Sequence, residues 1–345
     1  MRYIGCKKLL LKDIEKVIED NIESAESFCD IFSGTVSVAN YFKPKYKIIS
    51  NDMLNFSYCI QKGTIENSEI PTFKILNKNT GIKNPIEYFN SVDNKECEKL
   101  SKEKRFCQNN YSPKGNRMYM TDTNALKIDF VRNKINDWYQ KRFISTNEYY
   151  YLVAVLVEAV PFVSNIAGTY GAYNKWWDKR ALNEIEFKNI EIINNHKNNI
   201  AYNQDGNDLI TSISGDILYI DPPYNSRQYS PNYHVLETIA LYDNPKLKGV
   251  TGQRDYNHKK SLYCSKSTVT KTFEELIHNA KFKHIILSYS NEGLMNLSDI
   301  ENILKKYGIP ETFKMYEIPY RRFKSRKTNS TKQLKELLFY VRKNF

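Results

Sequence analysis

Four consecutive residues, Asp221, Pro222, Pro223 and Tyr224, follow directly on the apolar run Ile217–Ile220. Neither proline can donate to a β ladder, so a strand must stop there. Its end then carries an acceptor carboxylate, a turn stiff enough to fix its own carbonyls, and a flat aromatic face. Open α/β sheets bind ligands at that end of their strands. No activated Ser or Cys and no metal-ligand cluster accompanies these groups, which leaves acyl transfer and metal-assisted hydrolysis without support. An amine attached to an aromatic ring fits them. Its lone pair is delocalised into the ring and attacks poorly. Hydrogen bonds from its N–H groups to a carboxylate and a backbone carbonyl favour a more pyramidal nitrogen, and a stacked ring fixes the angle of attack. An electrophilic methyl on a sulfonium would then be taken by in-line displacement.

Two further units could hold the donor of such a methyl. The stretch SFCDIF ends in Ser33-Gly34-Thr35 and runs into VSVANYF, which reads as strand, tight turn and helix. A tight turn after a strand brings backbone close to a ligand. The next strand, YKIISNDM, ends in Asn51-Asp52. An acid there, roughly twenty residues on, is placed to accept both hydroxyls of a ribose. Asp52 would serve equally as a helix N-cap.

These stretches need a sheet to bring them together. Strand signals recur after Asn198 in NIAYNQD, DILYID, KHIILSYS, TFKMYEIPY and KELLFYVRK, with TKTFEELIHNA and LSDIENILKKYG at helical spacing between them. Near the start, Leu10, Ile14, Val17 and Ile18 mark an amphipathic helix. Alternation of this kind predicts an α/β fold with a parallel-rich sheet. The middle differs, with polar loops and then the helical patterns NALKIDFVRNKINDWYQKRF and Asn147 to about Val163. The chain therefore divides into a sheet domain over 1–60 and 198–345 and a mostly helical insertion over 61–197.

With 345 residues, 41% of them hydrophobic, the chain can bury a large core. Its 51 Lys and Arg against 39 Asp and Glu give a formal net charge of +12, which suits a polyanionic partner. The six cysteines, Cys6, Cys29, Cys59, Cys97, Cys107 and Cys264, form no CxxC and have no His at ligand spacing. That argues against a zinc site and, with no signal peptide, for a reduced cytoplasmic protein. The longest apolar run, YYYLVAVLVEAVPFV, is interrupted by Glu158 and Pro161 and falls short of a membrane span.

Taken in order, the motifs resemble the D12 class of DNA adenine-N6 methyltransferases, the α-type arrangement of Dam-like enzymes and of type II modification methylases. RYIGCKKLLLKDI is similar to the family's N-terminal cofactor motif, DIFSGTVSVA to its Phe-x-Gly-x-Gly motif, and SND to its ribose acid. YNQDGNDLI is similar to the adenine-side strand, DPPYNSRQYSPNYHVLETIA to the catalytic motif, and HIILSYSNEGLM and YRRFKSRK to the later motifs. The resemblance covers nearly the whole chain. It implies a Rossmann-like class I fold, S-adenosyl-L-methionine as methyl donor without a metal, and double-stranded DNA as partner. It implies donor contacts at Tyr3, Lys7, Asp30, Phe32, Gly34, Asp52, Asp205 and Asp221. It assigns the chemistry to Asp221, Pro222, Pro223 and Tyr224, acting on an adenine flipped out of the duplex. A short site is expected, with CATG a first guess, and a cognate restriction endonuclease is the partner such systems carry. One departure is Val36, where the family has its second glycine; a branched side chain there would narrow the donor pocket.

For DNA contact, Arg321, Arg322, Lys324, Arg326 and Lys327 offer a basic loop to phosphates. GTYGAYNKWWDKRA interleaves Tyr170, Tyr173, Lys175, Trp176, Trp177, Lys179 and Arg180, a pattern that suits a DNA face or, for the tryptophans, core anchoring. Arg227, Gln228 and Tyr229 follow the proline turn and could close over an extruded base, while His234 reads as structural. The rival readings are a cytosine-N4 methyltransferase, which usually shows Ser before Pro-Pro-Tyr, and a catalytically inactive DNA-binding module.

Overall fold

The computed structural model describes residues 5–319 and 335–344. Tyr3 and the basic residues Arg321, Arg322, Lys324, Arg326 and Lys327 lie outside the described residues. Two compact units emerge, one of Lys7–Met53, Lys197–Gln228 and Lys259–Phe345, the other of Met1–Cys6, Leu54–His196 and Tyr229–His258.

The first unit is built on a seven-stranded sheet. Its strands are β1 (Ser27–Asp30), β2 (Lys47–Asn51), β3 (Ile200–Tyr202), β4 (Ser214–Ile220), β5 (Lys281–Ser290), β6 (Lys314–Pro319) and β7 (Lys335–Arg342). Their spatial order is β3-β2-β1-β4-β5-β7-β6. The first five run parallel, and β7 lies antiparallel between β5 and β6. This is a mixed α/β sheet with β7 inserted antiparallel between β5 and β6, in keeping with the class I fold expected from the motifs. The central strands are covered on both faces, so they read as unbroken apolar runs rather than alternating ones. Ile217, Leu218, Tyr219 and Ile220 are each fully buried. The amphipathic helices Leu11–Glu19, Val269–Asn279 and Leu297–Tyr307 turn their apolar faces inward. Lys343, from the end of the chain, donates to the carbonyls of Ile277, His278 and Ala280 and so closes the last turn of the Val269–Asn279 helix.

The edge of the sheet at which β4 begins is held by Asp216. Its carboxylate accepts from the N–H groups of Glu26 and Ser27 at 3.0 Å each, from the Ser27 hydroxyl at 2.9 Å, and from Lys283 at 2.8 Å. Partial burial pushes the Asp216 pKa up, but the Lys283 ammonium and the Glu26 and Ser27 donors outweigh it and bring the value down to about 2.

The second unit is helical, with its longest helices at Asp122–Gln140 and Thr146–Ala159. Thr121 caps the first, and Ser145 with Glu148 forms a capping box on the second. Gly63 sits against the Thr146–Ala159 helix so closely that a Cβ would lie 2.9 Å from that of Ala154. The short helix His234–Leu241 is buried along nearly all its length. Its Glu237 accepts from the N–H groups of Asn55 and Phe56 at 3.1 and 3.0 Å, capping the Asn55–Gln61 helix. Arg132 donates to the carbonyls of Ile239 and Ala240 and ends the His234–Leu241 helix in turn. Among the described residues no helix is long and apolar enough to cross a membrane.

Candidate active site

The chain leaves β1 towards β2 and β3 on one side, and leaves β4 towards β5 on the other. The neighbours β1 and β4 therefore flank a switch point, and their carboxyl ends open the crevice where such sheets bind ligands. Asp30 closes β1, Asp52 follows β2, and Asp221 follows β4. Parallel register alone brings these three acids to one edge.

Asp30 is 1% exposed, and its Oδ1 is buried with no hydrogen-bond partner among the described residues. Burial and the charges of Asp221 and Asp52 hold its pKa well above the ordinary value, against the Ala39 N–H and the Ser33 hydroxyl. A buried carboxylate oxygen without a donor is costly. With Asp221 and Asp52 acting on the same group, a donor or a cation bound there would relieve that cost.

Asp52 accepts from the Gly34 N–H at 2.8 Å. Gly34 holds φ 50°, a conformation glycine takes without strain. Val36 holds φ 57° two residues on, which for a β-branched residue costs about 1–2 kcal/mol. Its side chain is 1% exposed, packed among protein atoms rather than open to solvent. The branched methyls are thus packed within the protein at this turn. Asn51 fastens this corner. Its Nδ2 donates to the carbonyls of Ile31 and Gln204 at 3.1 Å each, and its Oδ1 accepts from the Gln204 N–H at 3.0 Å.

Phe32 meets the Tyr263 ring edge to face at 5.2 Å. The Tyr263 hydroxyl donates to Asn207 Oδ1 at 2.9 Å. Asp205 accepts from the Asn207 N–H at 2.8 Å, so one of its oxygens caps the following short helix.

Asp221 stands beside Lys7, with 3.2 Å from Lys7 Nζ to Asp221 Oδ1. The same ammonium pairs with Glu336, whose Oε1 also accepts from the Ser288 hydroxyl at 2.8 Å. Because β7 runs antiparallel to β5, its first residues lie at the edge where β5 ends, and Glu336 is registered with Ser290. Burial raises the Asp221 pKa, Lys7 opposes it and Glu336 adds to it, for a value of about 7. Burial would lower the Lys7 pKa, but Asp221 and Glu336 outweigh it and drive the value up. Lys7 is 6% exposed, whereas the Asp221 side chain keeps 18%.

The turn after Asp221 is fastened to the loop beyond β5, where the Leu294 N–H donates to the Tyr224 carbonyl at 2.9 Å. Pro222 is buried and Pro223 half-buried, so the rigid pair anchors the acid on one side and the Tyr224 ring on the other. That ring is part-exposed, with its inner edge on the apolar core.

Of the residues expected at the donor site, Lys7, Asp30, Phe32, Gly34, Asp52, Asp205 and Asp221 all belong to the sheet unit. Those expected at DNA divide. Arg227 lies in the sheet unit, exposed on a loop held by paired bonds between Gln228 and Ser261 of 3.0 and 2.8 Å. Tyr173, Lys175 and Tyr229 belong to the helical unit. There Tyr173 sits edge-on to Tyr119 at 5.0 Å, Lys175 is exposed, and Tyr229 stacks with Tyr233 at 6.3 Å. Trp176 is 70% exposed and Trp177 half-buried, which removes core anchoring for the first. Tyr170 is instead core, 2% exposed and bonded to Ser164. His234 is fully buried, bonded to the Tyr170 carbonyl at 2.9 Å, and burial lowers its pKa to about 4, a structural histidine.

Motif reading passes over Glu336, Ser288 and Tyr263. The only signal for Glu336 is an acid opening an otherwise apolar strand, KELLFYVR.

Comparison with known proteins bears on this crevice. The family model described as D12 class N6 adenine-specific DNA methyltransferase matches residues 3–303. This chain belongs to that family. The D12-class chain is 50% identical over 347 aligned positions to the type II methyltransferase M.FokI of Planomicrobium okeanokoites, covering 100% of this chain and 53% of that one. It is 43% identical to the modification methylase StsI of Streptococcus sanguinis, covering 99% and 52%. It is 38% identical to the type II methyltransferase M.NlaIII of Neisseria lactamica, covering 96% and 94%. It thus spans about half the length of the first two relatives and nearly all of the third. Membership of this class implies a methyl donor, and the crevice fits one that carries positive charge: Asp221 and Asp52 act on the buried Asp30 there, and Lys7 is already shared between Asp221 and Glu336.

Proposed function

We propose that this chain transfers a methyl group from S-adenosyl-L-methionine to the N6 amine of an adenine flipped out of a short duplex site. The observation that carries the reading is the trio Asp30, Asp52 and Asp221 on adjacent strand ends, with Asp30 Oδ1 unpartnered and Tyr224 beside Asp221. When bound, the donor supplies a methyl on a cationic sulfur and leaves as a neutral thioether. In this reading Asp30, Asp52, Phe32, Gly34, Asp205 and Lys7 hold the donor, with Asp52 taking its ribose hydroxyls.

The remaining work falls to the chain's own groups. Tyr224 offers its ring to the extruded base, and a stacked base is worth about 1–3 kcal/mol, comparable to the unstacking cost. Asp221 and the Pro222 carbonyl accept the two N–H groups of the amine, which frees its lone pair to form the new N–C bond. As the C–S bond breaks, its electron pair stays on sulfur and positive charge appears on nitrogen, next to Asp221. A carboxylate already in place there lowers the barrier without reorganising. The nitrogen then sheds a proton to solvent. An ionised Asp221 is required, so the transfer rate of this reading falls below about pH 7, and a bound cationic donor shifts that limb lower.

The sheet unit carries the transfer, and the helical unit, with Tyr173, Lys175 and Trp176, supplies part of target recognition. Arg227 and the basic run from Arg321 to Lys327 take phosphates. The three relatives named above, each called a modification methylase or a type II methyltransferase, support a role as the modification half of a restriction–modification system. The test is long-read sequencing of DNA from an expressing host, paired with labelled-methyl transfer to a duplex. N6-methyladenine in one short motif, CATG or another, supports the proposal. Label on cytosine N4 would favour the rival amine, and duplex retention without label an inactive binding module.

A further inference from the structure

The buried lysine at the crevice serves two masters. Lys7 Nζ touches Asp221 Oδ1 at 3.2 Å and also pairs with Glu336, on β7, at the opposite end of the chain. Glu336 is 6% exposed and held by the Ser288 hydroxyl of β5 at 2.8 Å. A lone Lys7–Asp221 pair would already satisfy the ammonium charge. A second buried acid is therefore an expense that the fold does not need, since buried charges are retained only where paired and hydrogen-bonded. The same oxygen of Glu336 that accepts from Ser288 also faces Lys7. That arrangement fixes where the ammonium sits between two carboxylates.

We propose that Glu336 is a positioning residue for the transfer: with Ser288 it draws Lys7 part-way off Asp221, so that the Asp221 carboxylate remains a strong acceptor for the substrate amine. Without Glu336, the ammonium would settle on Asp221 alone and compete with the amine for its oxygens. Without Lys7, two buried acids would face each other and Asp221 would hold its proton. The groups that act on Asp221 are Lys7 from the N-terminal turn, Glu336 from β7, Tyr219 on β4 itself, and Asp30 at the end of β1, with Asp52 beyond it. Among the described residues, the group that β5 contributes to this network is the neutral Ser288, which donates to Glu336 and acts on Tyr219.

This inference rests on the proposed methyl transfer, and its test separates the two. The Asp221 carboxyl is followed by 13C NMR in donor-free protein labelled at aspartate, with Asp221→Asn to assign the signal. Relative to wild type, Glu336→Gln moves the titration to lower pH by about one unit, and Lys7→Gln moves it to higher pH. Ser288→Ala, the milder change, follows Glu336→Gln with a smaller shift. In transfer assays the acid limb of kcat for Glu336→Gln moves down in step, kcat falls roughly tenfold, and KM for duplex stays unchanged. A Glu336→Gln titration that stays at the wild-type position, or moves up with that of Lys7→Gln, overturns the inference; should that variant not fold, the same outcome in Ser288→Ala overturns it. Wild-type protein that transfers no methyl at all sinks the parent proposal instead, and leaves the NMR shifts to judge Glu336 by themselves.

Discussion

Strand β4 begins near one aspartate and ends at another, and the two could hardly be treated more differently. Asp216 is surrounded by four donors, and its pKa lies at about 2. Asp221, five residues on, has Lys7 as its cation, shares it with Glu336, and sits at about 7. The first is a staple: it ties β1, β4 and β5 together where the parallel strands start. The second is held short of full satisfaction. A group whose acceptor capacity is left open has something still to bind, and functional sites keep such unmet demand at a cost in stability.

The contrast sharpens if groups at the Asp221 edge cost transfer and groups at the Asp216 edge cost folding. Tyr224→Ala should lower methyl transfer per folded molecule by roughly 10–100-fold, the value of one stacked base, while Tyr224→Phe keeps most of it. Single-turnover rates on a duplex measure both, and equal losses in the two variants would point to the hydroxyl instead. Asp216→Ala should do the reverse. It strips the partner from Lys283 and from the N–H groups of Glu26 and Ser27, so stability falls by about 1–2 kcal/mol in urea unfolding while transfer per folded molecule holds.

A quieter test uses pH. The Asp216 pKa is depressed in the folded state, so its contribution is fully present above the ordinary value of 3.8 and is lost as pH falls towards 2. The Asp221 pKa is raised, so its contribution is fully present below 3.8 and is lost as pH rises through about 7. Asp221→Asn should therefore be more stable than wild type at pH 8, and that gain should vanish towards pH 4, as followed by thermal unfolding. Loss of stability at pH 8 would make Asp221 a second staple. The smallest effect is expected at Val36→Gly. Relief of about 1–2 kcal/mol of left-handed strain is set against a buried valine worth about 1.5–2 kcal/mol and the added chain entropy of glycine. Donor affinity by calorimetry should change less than about threefold. Tenfold tightening would place Val36 at the donor pocket.

Much of this edge is legible in the residues themselves. Two prolines end β4 at Asp221, a glycine marks the turn after β1, and an acid closes β2, because strand termination is a local matter of missing donors and permitted φ. The apolar runs of the central strands and the amphipathic helices are likewise local. Glu336 is not legible, since its partner Lys7 is 329 residues away and only the antiparallel insertion of β7 beside β5 brings it to the crevice. Nor does the pattern show where HVLETIAL belongs. That apolar octet would pack on a sheet as readily as on helices, and its choice of the helical unit is a matter of tertiary partners such as the Asn55–Gln61 helix capped by Glu237.

The most direct measurement is single-turnover transfer of labelled methyl to a duplex by Asp221→Ala and Asp216→Ala proteins, each with its folding and duplex binding verified. The account predicts a loss of at least about a thousandfold for Asp221→Ala, the scale seen when a preorganised electrostatic partner is removed from a transition state, and wild-type rates for Asp216→Ala. Transfer at the wild-type rate by Asp221→Ala would contradict it.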